Sequence, residues 1–597
     1  DTQFVYLMGS GYLLATGIGD PVEDATTTVG VPDGGTWHVW VRARNWAPEQ
    51  APGRFRVVVN GRTLPTVFGD EDSADWTWPV SIAIRDLTGY YGRCDALVLT
   101  RDASYNPPQD REGVVRERAR LTGLSLDPAA GGSFDVVVVG AGSAGCPAAI
   151  AAARLGARTA LIQNRPVLGG NASSECGVPL NGAASSHANA RETGLAEEVG
   201  RVKARLGLRT YGEAFEVVAR DTENLHIFTN KHVYDVTMAD SAAIASAKAV
   251  DTLTGAITVY RGTQFVDCTG DGWIGTFADA EYRRGREARD RYDESLAPPE
   301  SDDITMSGCI MGNALGFKAE NMGRPVPYER PAWAPAMPPP DRFGRRVRRV
   351  TGGEWWLEYP GTVDDVWNAE YARDYLIRIT FGYWDHVKNH SELKNQAVNY
   401  DLTVVPYMNA KRESRRLIGD YVLTQNDVQS ARVFPDRISY GGWPIDVHHP
   451  EGIFSGPEGP FDCNPRAPIY TIPYRCLYSR NIDNLLFAGR CASVTHIALG
   501  TVRVQSTLST LGQAAGTAAA LCTRRSISPR ALYEDHIGDL QQTLLKNDQT
   551  IPGIVNEDPA DKARGADVRA SSTASYVEFG KENVQRTDRH EMVTDRA

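Results

Sequence analysis

The stretch Val136-Val137-Val138-Val139-Gly140-Ala141-Gly142-Ser143-Ala144-Gly145-Cys146-Pro147-Ala148 decides the fold of this 597-residue chain. Its β-branched run is typical of a parallel strand that helices cover on both faces. A GxGxxG turn and a helix of small residues follow at once, and this order of elements makes the glycine pattern indicate a dinucleotide site. Gly140 makes the tight turn, Gly142 lets the backbone approach a pyrophosphate, and Gly145 lets the helix pack closely on the strand.

The same region runs 18 residues, from Val136 to Ala153, without a charged side chain. Taken alone, such a run suggests a membrane span. A strand, a phosphate-binding turn and the start of a helix explain it, so we predict no membrane span. The first twenty residues lack the basic start of a signal peptide. Since the chain opens on Asp1, both a cytoplasmic protein and an exported one whose leader has been removed stay open, and in either case we expect a soluble protein.

The composition narrows the range of partners. A formal net charge of −11 and a pI near 5.6 argue against a surface for duplex nucleic acid, which needs clustered Lys and Arg in excess. The basic run Arg342–Arg349 is interpreted as a solvated loop. Nine Cys residues without a CxxC pair indicate neither a disulfide framework nor a zinc site, and we predict no metal. The oligomeric state is left open.

The first part of the chain has strand periodicity. Alternate residues of Trp37–Arg44 share a face, Phe55, Val57 and Val59 repeat the pattern, and Asn60-Gly61 suits a tight hairpin turn. This predicts an all-β sandwich over residues 1–125. Its tryptophans form either a sugar-stacking platform or part of the core and the packing between domains; they are Trp40, Trp46, Trp76 and Trp78.

Composition shifts divide the rest of the chain. Residues Arg111–Gly132 are interpreted as a linker, and the proline-rich segment Gly323–Asp341 as a long loop or lid. We predict an α/β Rossmann-like dinucleotide-binding domain in two parts, residues 133–280 and 481–550. An α+β substrate domain, residues 281–480, is inserted between them, and an extended tail, residues 551–597, follows. The second strand of the Rossmann unit is expected at Thr159–Ile162, where Gln163 and Asn164 take the place of the acidic residue that contacts an adenosine ribose.

The choice of FAD rests on three further segments, Leu168–Glu175, Val266–Gly272 and Asn484–Arg490, the last of which precedes Leu511–Gly516. Together with the GxGxxG turn they resemble the FAD-dependent oxidoreductase family of glutathione-reductase-like flavoproteins with two dinucleotide-binding domains, over roughly Phe134–Arg525. The resemblance implies a set of cofactor-binding residues: Gly140, Gly142, Ser143, Gly145, Gln163, Asn164, Gly169, Gly170, Asn171, Ser173, Thr269, Gly270, Asp271, Gly489, Arg490, Gly512 and Gln513. We expect a helix to start at Leu511–Gly516 and to direct its N-terminal dipole at the flavin.

Flavin chemistry needs a base near the reacting carbon. His496 is the first catalytic candidate, since it lies between the Gly489-Arg490 turn and Gly512, and Arg503 follows it. The alternative is a histidine that bonds the flavin or a loop carbonyl. A second group is formed by His448 and His449, with Trp443 and Asp446 as substrate residues on a loop that suits a polyol.

Two further substrate candidates have structural alternatives. Arg412 either grips a carboxylate or forms salt bridges on a helix surface. Cys176 places a thiol near the flavin, as a substrate-site residue or, less in favour, as a redox thiol or covalent flavin link.

The sequence therefore predicts an FAD-dependent oxidoreductase that takes a hydride from a hydroxyl-bearing carbon of a small molecule, with a sugar or glycoside in first place. One alternative is a flavoenzyme in which transient oxidation serves a net non-redox cleavage or isomerisation. Another is a binding protein with a structural FAD.

Overall fold

The computed structural model describes the chain except residues 28–35, 60, 72–75, 78–83, 188–189, 302–308, 563–565, 568–573, 576–590 and 593–597. Asn60, Trp78, the side chain of Trp76 and most of the predicted tail lie outside this description. The α-helices are Val5–Met8, Arg111–Thr122, Gly145–Arg154, Leu195–Leu206, Tyr211–Arg220, Trp273–Phe277, Arg289–Tyr292, Pro340–Phe343, Ala369–Asp385, Lys394–Ala397, Gln425–Gln429, His496–Val502, Gln505–Arg525 and Pro529–Lys546.

A π-helical segment, His386–His390, continues one of these helices, and short 3₁₀ turns connect others. The longer strands are His38–Arg44, Phe55–Val59, Arg62–Phe68, Arg93–Thr100, Ala129–Val139, Thr159–Ile162, Leu225–Phe228, Lys231–Met238, Ile244–Asp251, Ile257–Asp267, Lys318–Asn321, Tyr400–Val404, Arg437–Gly441, Phe461–Cys463, Tyr470–Pro473 and Leu485–Phe487. Two-residue strands lie at Leu13–Leu14, Trp76–Thr77, Arg85–Asp86, Tyr282–Arg283, Arg416–Leu417, Val447–His448, Ala574–Ser575 and Glu591–Met592.

The central mixed sheet is built around Ala129–Val139, which has parallel neighbours on both sides. In register, Val139 lies beside Ile162 and Asp267, and Asp267 lies beside Phe487. Phe228 of the strand Leu225–Phe228 lies beside Ile162, so five parallel strands end at one edge of the sheet. The turns that follow them are brought together at this edge, where open α/β sheets bind their ligands.

The segment predicted as a linker is not one. Residues Arg111–Thr122 form a helix that Asp110 caps by accepting from the backbone N–H of Gly113 at 2.7 Å. Gly123 ends the helix in the left-handed region, with φ of 71°. The central strand then starts at Ala129. The polar composition of this segment thus reflects a surface helix with a side-chain cap.

The predicted helix start at Leu511–Gly516 is also wrong. The helix runs from Gln505 to Arg525, so Gly512 and Gly516 lie inside it. A Cβ at Gly512 would lie 2.0 Å from the carbonyl oxygen of Ala144, and one at Gly516 would lie 1.9 Å from that of Ala148. These glycines let the helix pack against Gly145–Arg154.

The N-terminal part forms a four-stranded and a three-stranded antiparallel sheet that share a small core. Val41, Phe55, Val57 and Phe68 lie in that core, all at or below 2% exposure. Trp46 packs edge-on against Trp333 of the proline-rich loop at 5.3 Å, which favours the packing interpretation for this tryptophan. The β-sandwich over residues 1–125 stays a prediction in its full extent, because residues 28–35, 60, 72–75 and 78–83 lie outside the described residues.

Buried ion pairs join the N-terminal sheets to the region predicted as the substrate domain. Arg93, which has no exposed surface, contacts Glu370 at 3.0 Å and also pairs with Asp374 on the helix Ala369–Asp385. Arg44 and Arg373 belong to the same cluster. The two regions are thus fixed to each other. Within the described part of the chain, no helix is long and apolar enough to cross a membrane.

Candidate functional site

A cavity of about 870 Å³ opens at the sheet edge where the parallel strands end. Its walls come from the turns after the strands, from the region between residues 314 and 464, and from the start of the helix Gln505–Arg525. The sequence-predicted residues on its walls are Gly140, Gly142, Ser143, Gln163, Asn164, Gly170, Asn171, Cys176, Thr269, Gly270, Asp271, Arg412, Trp443, Asp446, His448, Gly489, Arg490 and Arg503.

The three glycines of the phosphate turn differ in what surrounds them. A Cβ at Gly140, whose φ is 93°, would lie 2.4 Å from the carbonyl oxygen of Cys268, and one at Gly145 would lie 1.7 Å from that of Gly140. A Cβ at Gly142 would have Gly170 Cα, at 4.0 Å, as its nearest neighbour. Gly140 and Gly145 are thus required for packing. Gly142 leaves open space on the cavity side, where a pyrophosphate needs to approach the backbone.

Gln163 and Asn164 do different things at the end of the second strand. Gln163 Oε1 accepts from the N–H of Ala141 at 3.0 Å, and its Nε2 donates to the carbonyl oxygen of Val167 at 3.2 Å. This amide therefore holds the phosphate turn in place. Of the two, Asn164 is the better candidate for a ribose contact.

In the segment Gly169–Ser173, too, some residues face the cavity while others serve packing. Gly170 and Asn171 line the cavity, whereas Gly169 and Ser173 are not among the residues described on its walls. A Cβ at Gly169 would lie 2.5 Å from Gly212 Cα, which shows that this position is needed for close packing. Asn171 Nδ2 donates to the carbonyl oxygen of Lys411 at 2.8 Å.

Lys411 is a wall residue that the sequence did not reveal. Its Nζ lies 3.0 Å from Asp271 Oδ2 and 3.7 Å from Asp365 Oδ2. Burial opposes ionisation of Asp271, but Lys411 and Arg490 outweigh it and hold the pKa of this carboxyl below its ordinary value. At Asp365, burial dominates and raises the pKa to about 6. A cation is thus fixed beside the turn that closes the cofactor side of the cavity.

The start of the helix Gln505–Arg525 contributes to the cavity different residues from those expected. Gln505 lines the cavity and accepts a hydrogen bond from the Ser143 hydroxyl. Gly512 and Gln513 are absent from the described walls. Gln513 instead accepts from the N–H of Leu195 at 2.7 Å and donates to the carbonyl oxygen of Asn547 at 2.9 Å.

The structure brings His448 together with Asp446 and Arg503. His448 is 2% exposed, and its Nδ1 lies 3.0 Å from Glu358 Oε1, while its Nε2 lies 3.3 Å from Asp446 Oδ1. Arg503 Nη2 donates to Asp446 Oδ2 at 3.0 Å, and Trp443 Nε1 donates to the same oxygen at 3.3 Å. The Trp443–His449 loop and Arg503, which is distant in sequence, therefore form one hydrogen-bonded wall of the cavity.

Burial and neighbouring charges together determine the pKa values of Asp446 and Arg503 in this wall. Burial works against a charged Asp446, but Arg503 and His448 more than offset it, so the pKa of Asp446 lies well below its ordinary value. Burial lowers the pKa of Arg503, and Asp446 counteracts this. We therefore treat Asp446 as a carboxylate at neutral pH.

Glu358 contacts two of the sequence-predicted site residues, His448 and Arg412. It binds His448 Nδ1 and also Arg412 Nη1, the latter at 3.0 Å, and its side chain has no exposed surface. Arg412 also donates to the carbonyl oxygens of Gly312, at 2.7 Å, and Trp355. Glu358 has no motif around it in the sequence, so only the three-dimensional contacts reveal its role.

His496 and His449 lie elsewhere. His496 is 2% exposed and is not among the residues described on the cavity walls; its Nδ1 lies 3.0 Å from Glu413, and its backbone N–H donates to Glu287 at 2.9 Å. His449 Nδ1 accepts from the N–H of Glu451 at 3.2 Å, and His449 is likewise absent from the described walls. These contacts occupy Nδ1 of each ring, and the buried His496 Nε2 has no hydrogen-bond partner among the described residues.

Cys176 does line the cavity, but burial, the largest cause, and the nearby Glu175 raise the pKa of its thiol to about 12. The thiolate needed for redox chemistry or a covalent link is therefore disfavoured. Among the described residues there is no group of three or more His, Cys, Asp or Glu that could hold a metal ion.

The geometry fits a long cofactor with two phosphates. The open side of Gly142, the polar end of the second strand and the fixed cation Lys411 lie along one cavity, whose volume is within the range of about 300–1,000 Å³ usual for ligand sites. Gly142, Ser143 and Asn164 would hold the adenosine diphosphate half of such a cofactor. Gly170, Asn171 and Arg490 would hold the other half.

Comparison with known proteins identifies a family over most of the chain. A family described as FAD dependent oxidoreductase matches residues 135–544. Among curated proteins, the tRNA uridine 5-carboxymethylaminomethyl modification enzyme MnmG of Desulfitobacterium hafniense is 34% identical over 113 residues, which is 18% of this chain and 16% of that enzyme. The enzyme of the same name from Clostridium novyi is 30% identical over 161 residues, covering 23% of this chain and 24% of that enzyme. The matches thus span a quarter or less of these relatives.

Solved structures are more distant. The myxobacterial chondrochloren halogenase CndH is 13% identical, with a TM-score of 0.32, covering 69% of this chain and 82% of the halogenase. A geranylgeranyl bacteriochlorophyll reductase-like protein from Thermoplasma acidophilum is 14% identical, with a TM-score of 0.29, covering 70% of this chain and 86% of that one. At these scores, neither similarity carries an argument about substrate.

Proposed function

The chain belongs to the FAD dependent oxidoreductase family and binds FAD, and from this premise we propose that it oxidises a hydroxyl-bearing carbon of a sugar or glycoside, with His448 as the base. When bound, FAD supplies the hydride acceptor, N5 of the flavin. The observation that carries the proposal is that His448, Asp446 and Arg503 share a cavity with the phosphate turn.

The contacts of His448 suit a base that takes the proton of a hydroxyl group. The Glu358 carboxylate accepts from Nδ1–H, which leaves Nε2 as the nitrogen that receives a proton. Asp446 Oδ1, 3.3 Å from Nε2, stabilises the imidazolium that then forms. A carboxylate that orients and supports a histidine in this way is a recurring arrangement in enzymes.

The walls around His448 support a polyol as substrate. The Trp355 and Phe461 rings lie 5.0 Å apart and 31° from parallel, and the Trp355 ring meets the His448 ring edge-on at 5.3 Å. Aromatic faces pack against the C–H groups of a sugar ring, while Asp446 offers an acceptor for its hydroxyl groups.

The same contacts argue against a carboxylate gripped by Arg412. Its guanidinium donates to the carbonyl oxygens of Gly312 and Trp355 and pairs with Glu358. Because these partners occupy both terminal nitrogens, Arg412 has little capacity for a bidentate contact to a substrate.

A comparison of histidine variants tests the base. His448→Gln should retain FAD and slow anaerobic flavin reduction by about 10²- to 10⁴-fold. His390→Gln is the control, since His390 is 60% exposed and pairs with Asp385. If His496→Gln slows reduction and His448→Gln does not, the base is His496, and this assignment is wrong.

An anaerobic screen tests the substrate class. Glycosides and free sugars should bleach the oxidised flavin, whereas amino acids and dicarboxylates should not. Bleaching by dicarboxylates alone would refute the sugar proposal. Colour that returns without an added acceptor, together with a cleaved or isomerised product, would show that the oxidation is transient.

A further inference from the structure

The cofactor cavity has a wall that lies outside the family-matched region. Residues Thr2–Tyr6, here called the N-terminal strap, contribute Gln3, Phe4 and Tyr6 to the cavity. The family match begins only at residue 135. The matched region alone therefore does not complete the site.

The strap lies at the adenosine end of the cavity. Arg165 follows Asn164 at the end of the second strand, where the ribose of an adenosine is expected, and its Nη1 donates to Thr2 Oγ1 at 2.8 Å. The N–H of Lys231 donates to the carbonyl oxygen of Gln163 at 2.9 Å, which places the start of another strand at the same point.

Three residues that line this cavity each carry a buried polar atom without a hydrogen-bond partner among the described residues. Gln3 Nε2 donates to Asn409 Oδ1 at 2.7 Å, but Gln3 Oε1 and Asn409 Nδ2 have no hydrogen-bond partner among the described residues. His232 Nε2 likewise has none within that part of the chain. The exposures of Gln3, Asn409 and His232 are 8%, 2% and 4%, and all three line the cavity. Because buried polar groups are nearly always paired, these atoms point to a ligand.

We propose that Gln3, Asn409 and His232 form a recognition site for the adenine base of FAD, closed by the N-terminal strap. Adenine presents an amine donor beside a ring-nitrogen acceptor, the pattern that an amide reads in bidentate fashion. Gln3 Oε1 supplies the acceptor and Asn409 Nδ2 supplies the donor. His232 Nε2 bonds a further ring nitrogen or a ribose hydroxyl.

The surroundings of these atoms suit a purine. The Tyr6 ring stacks on His232 at 5.5 Å and 26°, and it meets Trp273 edge-on at 5.3 Å. Burial lowers the pKa of His232 to about 4, so its ring is neutral and uncharged toward the base at neutral pH. An aromatic wall with neutral polar groups is what a flat heteroaromatic ring requires.

The strap is held in place before a cofactor binds. Tyr6 Oη donates to the carbonyl oxygen of Val366 at 2.6 Å, and Oδ2 of Asp1, the residue before the strap, pairs with Arg373 Nη1 at 2.8 Å. Both partners belong to the region between residues 281 and 480. Binding at a site fixed in advance costs little conformational entropy.

The experiment is a calorimetric titration of the apoprotein with FAD and with FMN, which lacks the adenosine half. Gln3→Leu and His232→Phe should each weaken FAD binding by about 5- to 50-fold, because a buried hydrogen-bonding group loses its partner. The affinity for FMN should not change. Gln50→Leu and His226→Phe are matched controls at exposed positions, and they should leave both affinities unchanged.

Two outcomes would overturn the proposal: unchanged FAD affinity in both variants, or an equal loss of FMN affinity. A second titration needs no variant. The wild-type apoprotein should bind FAD about 10-fold or more tightly than a flavin dinucleotide with hypoxanthine in place of adenine; equal affinities would refute adenine recognition. These titrations involve no substrate, so their result is independent of the proposed sugar oxidation.

Discussion

The phosphate turn allows a prediction in which binding and packing separate within four residues. A Cβ at Gly145 would lie 1.7 Å from the Gly140 carbonyl oxygen, whereas a Cβ at Gly142 would meet nothing nearer than Gly170 Cα at 4.0 Å. Gly142 also lacks the positive φ that would strain an alanine. We therefore expect Gly145→Ala to impair folding and Gly142→Ala to impair cofactor binding.

The magnitudes follow from these two distances. Gly145→Ala should lower the free energy of unfolding of the apoprotein by about 1–3 kcal/mol, the usual cost of overpacking. Gly142→Ala should leave it unchanged or raise it by up to about 1 kcal/mol, because alanine reduces the freedom of the unfolded chain. Its methyl group occupies the side from which the pyrophosphate approaches. The loss of one charge-assisted hydrogen bond, about 1.5–3 kcal/mol, weakens FAD binding about 10- to 150-fold.

Urea unfolding of the two apoproteins gives the stabilities, and titration with FAD, followed by flavin fluorescence, gives the affinities. The reasoning would be refuted if both alanines lowered the unfolding free energy equally. It would also be refuted if Gly142→Ala bound FAD as tightly as the wild type. The first result would mean that Gly142 is also needed for packing, and the second would mean that its open side does not face the cofactor.

Two further predictions concern buried charge. Arg93→Met should lower the free energy of unfolding by about 3–5 kcal/mol, because it leaves two buried carboxylates of the helix Ala369–Asp385 without this partner. The control is Arg85→Met at an exposed ion pair, which should leave the midpoint of urea unfolding nearly unchanged. Equal urea midpoints for the two variants would contradict this prediction. Burial depresses the pKa of His232 from 6.5 to about 4, so the folded state binds fewer protons, and stability should fall as the pH drops from 6.5 to 4, by about 3 kcal/mol from this group. Unfolding measured across that range should show a smaller loss for His232→Phe, and an identical profile would exclude His232 as the source.

The strand, turn and helix around Gly140–Gly145 could be predicted from the sequence because their signals are local. The β-branched run, the glycine spacing and the small residues of the helix lie next to each other along the chain. The roles assigned to His448, Asp446 and Arg503 from the sequence stay predictions. The structure places all three on the wall of one cavity, although the sequence argument had set Arg503 beside His496.

Other parts of the site depend on contacts between distant segments. Gln3 and Asn409 are 406 residues apart in sequence, and no pattern around either indicates that they meet. Glu358 reaches His448 across 90 residues. Only the folded chain brings such residues together, so periodicity and spacing could not reveal them.

The wrong helix start has a physical reason of its own. Glycines at 512 and 516 are compatible with a helix end that faces a ligand and equally with a helix face that packs closely on another helix. The distances to the carbonyl oxygens of Ala144 and Ala148 show that packing is the reason here. The residue that does face the cavity, Gln505, has no glycine beside it.

The contact between Ser143 and Gln505 also sets the order of events during synthesis, because 362 residues separate them. At about 5–20 residues per second, a ribosome needs roughly 20 to 70 seconds to make the chain between them. The phosphate turn thus leaves the ribosome long before the helix that closes it exists. A nascent chain released before Gln505 is made would present an apolar strand and an incomplete cofactor pocket to chaperones and proteases, because the hydrogen bond between Ser143 and Gln505 could not yet form.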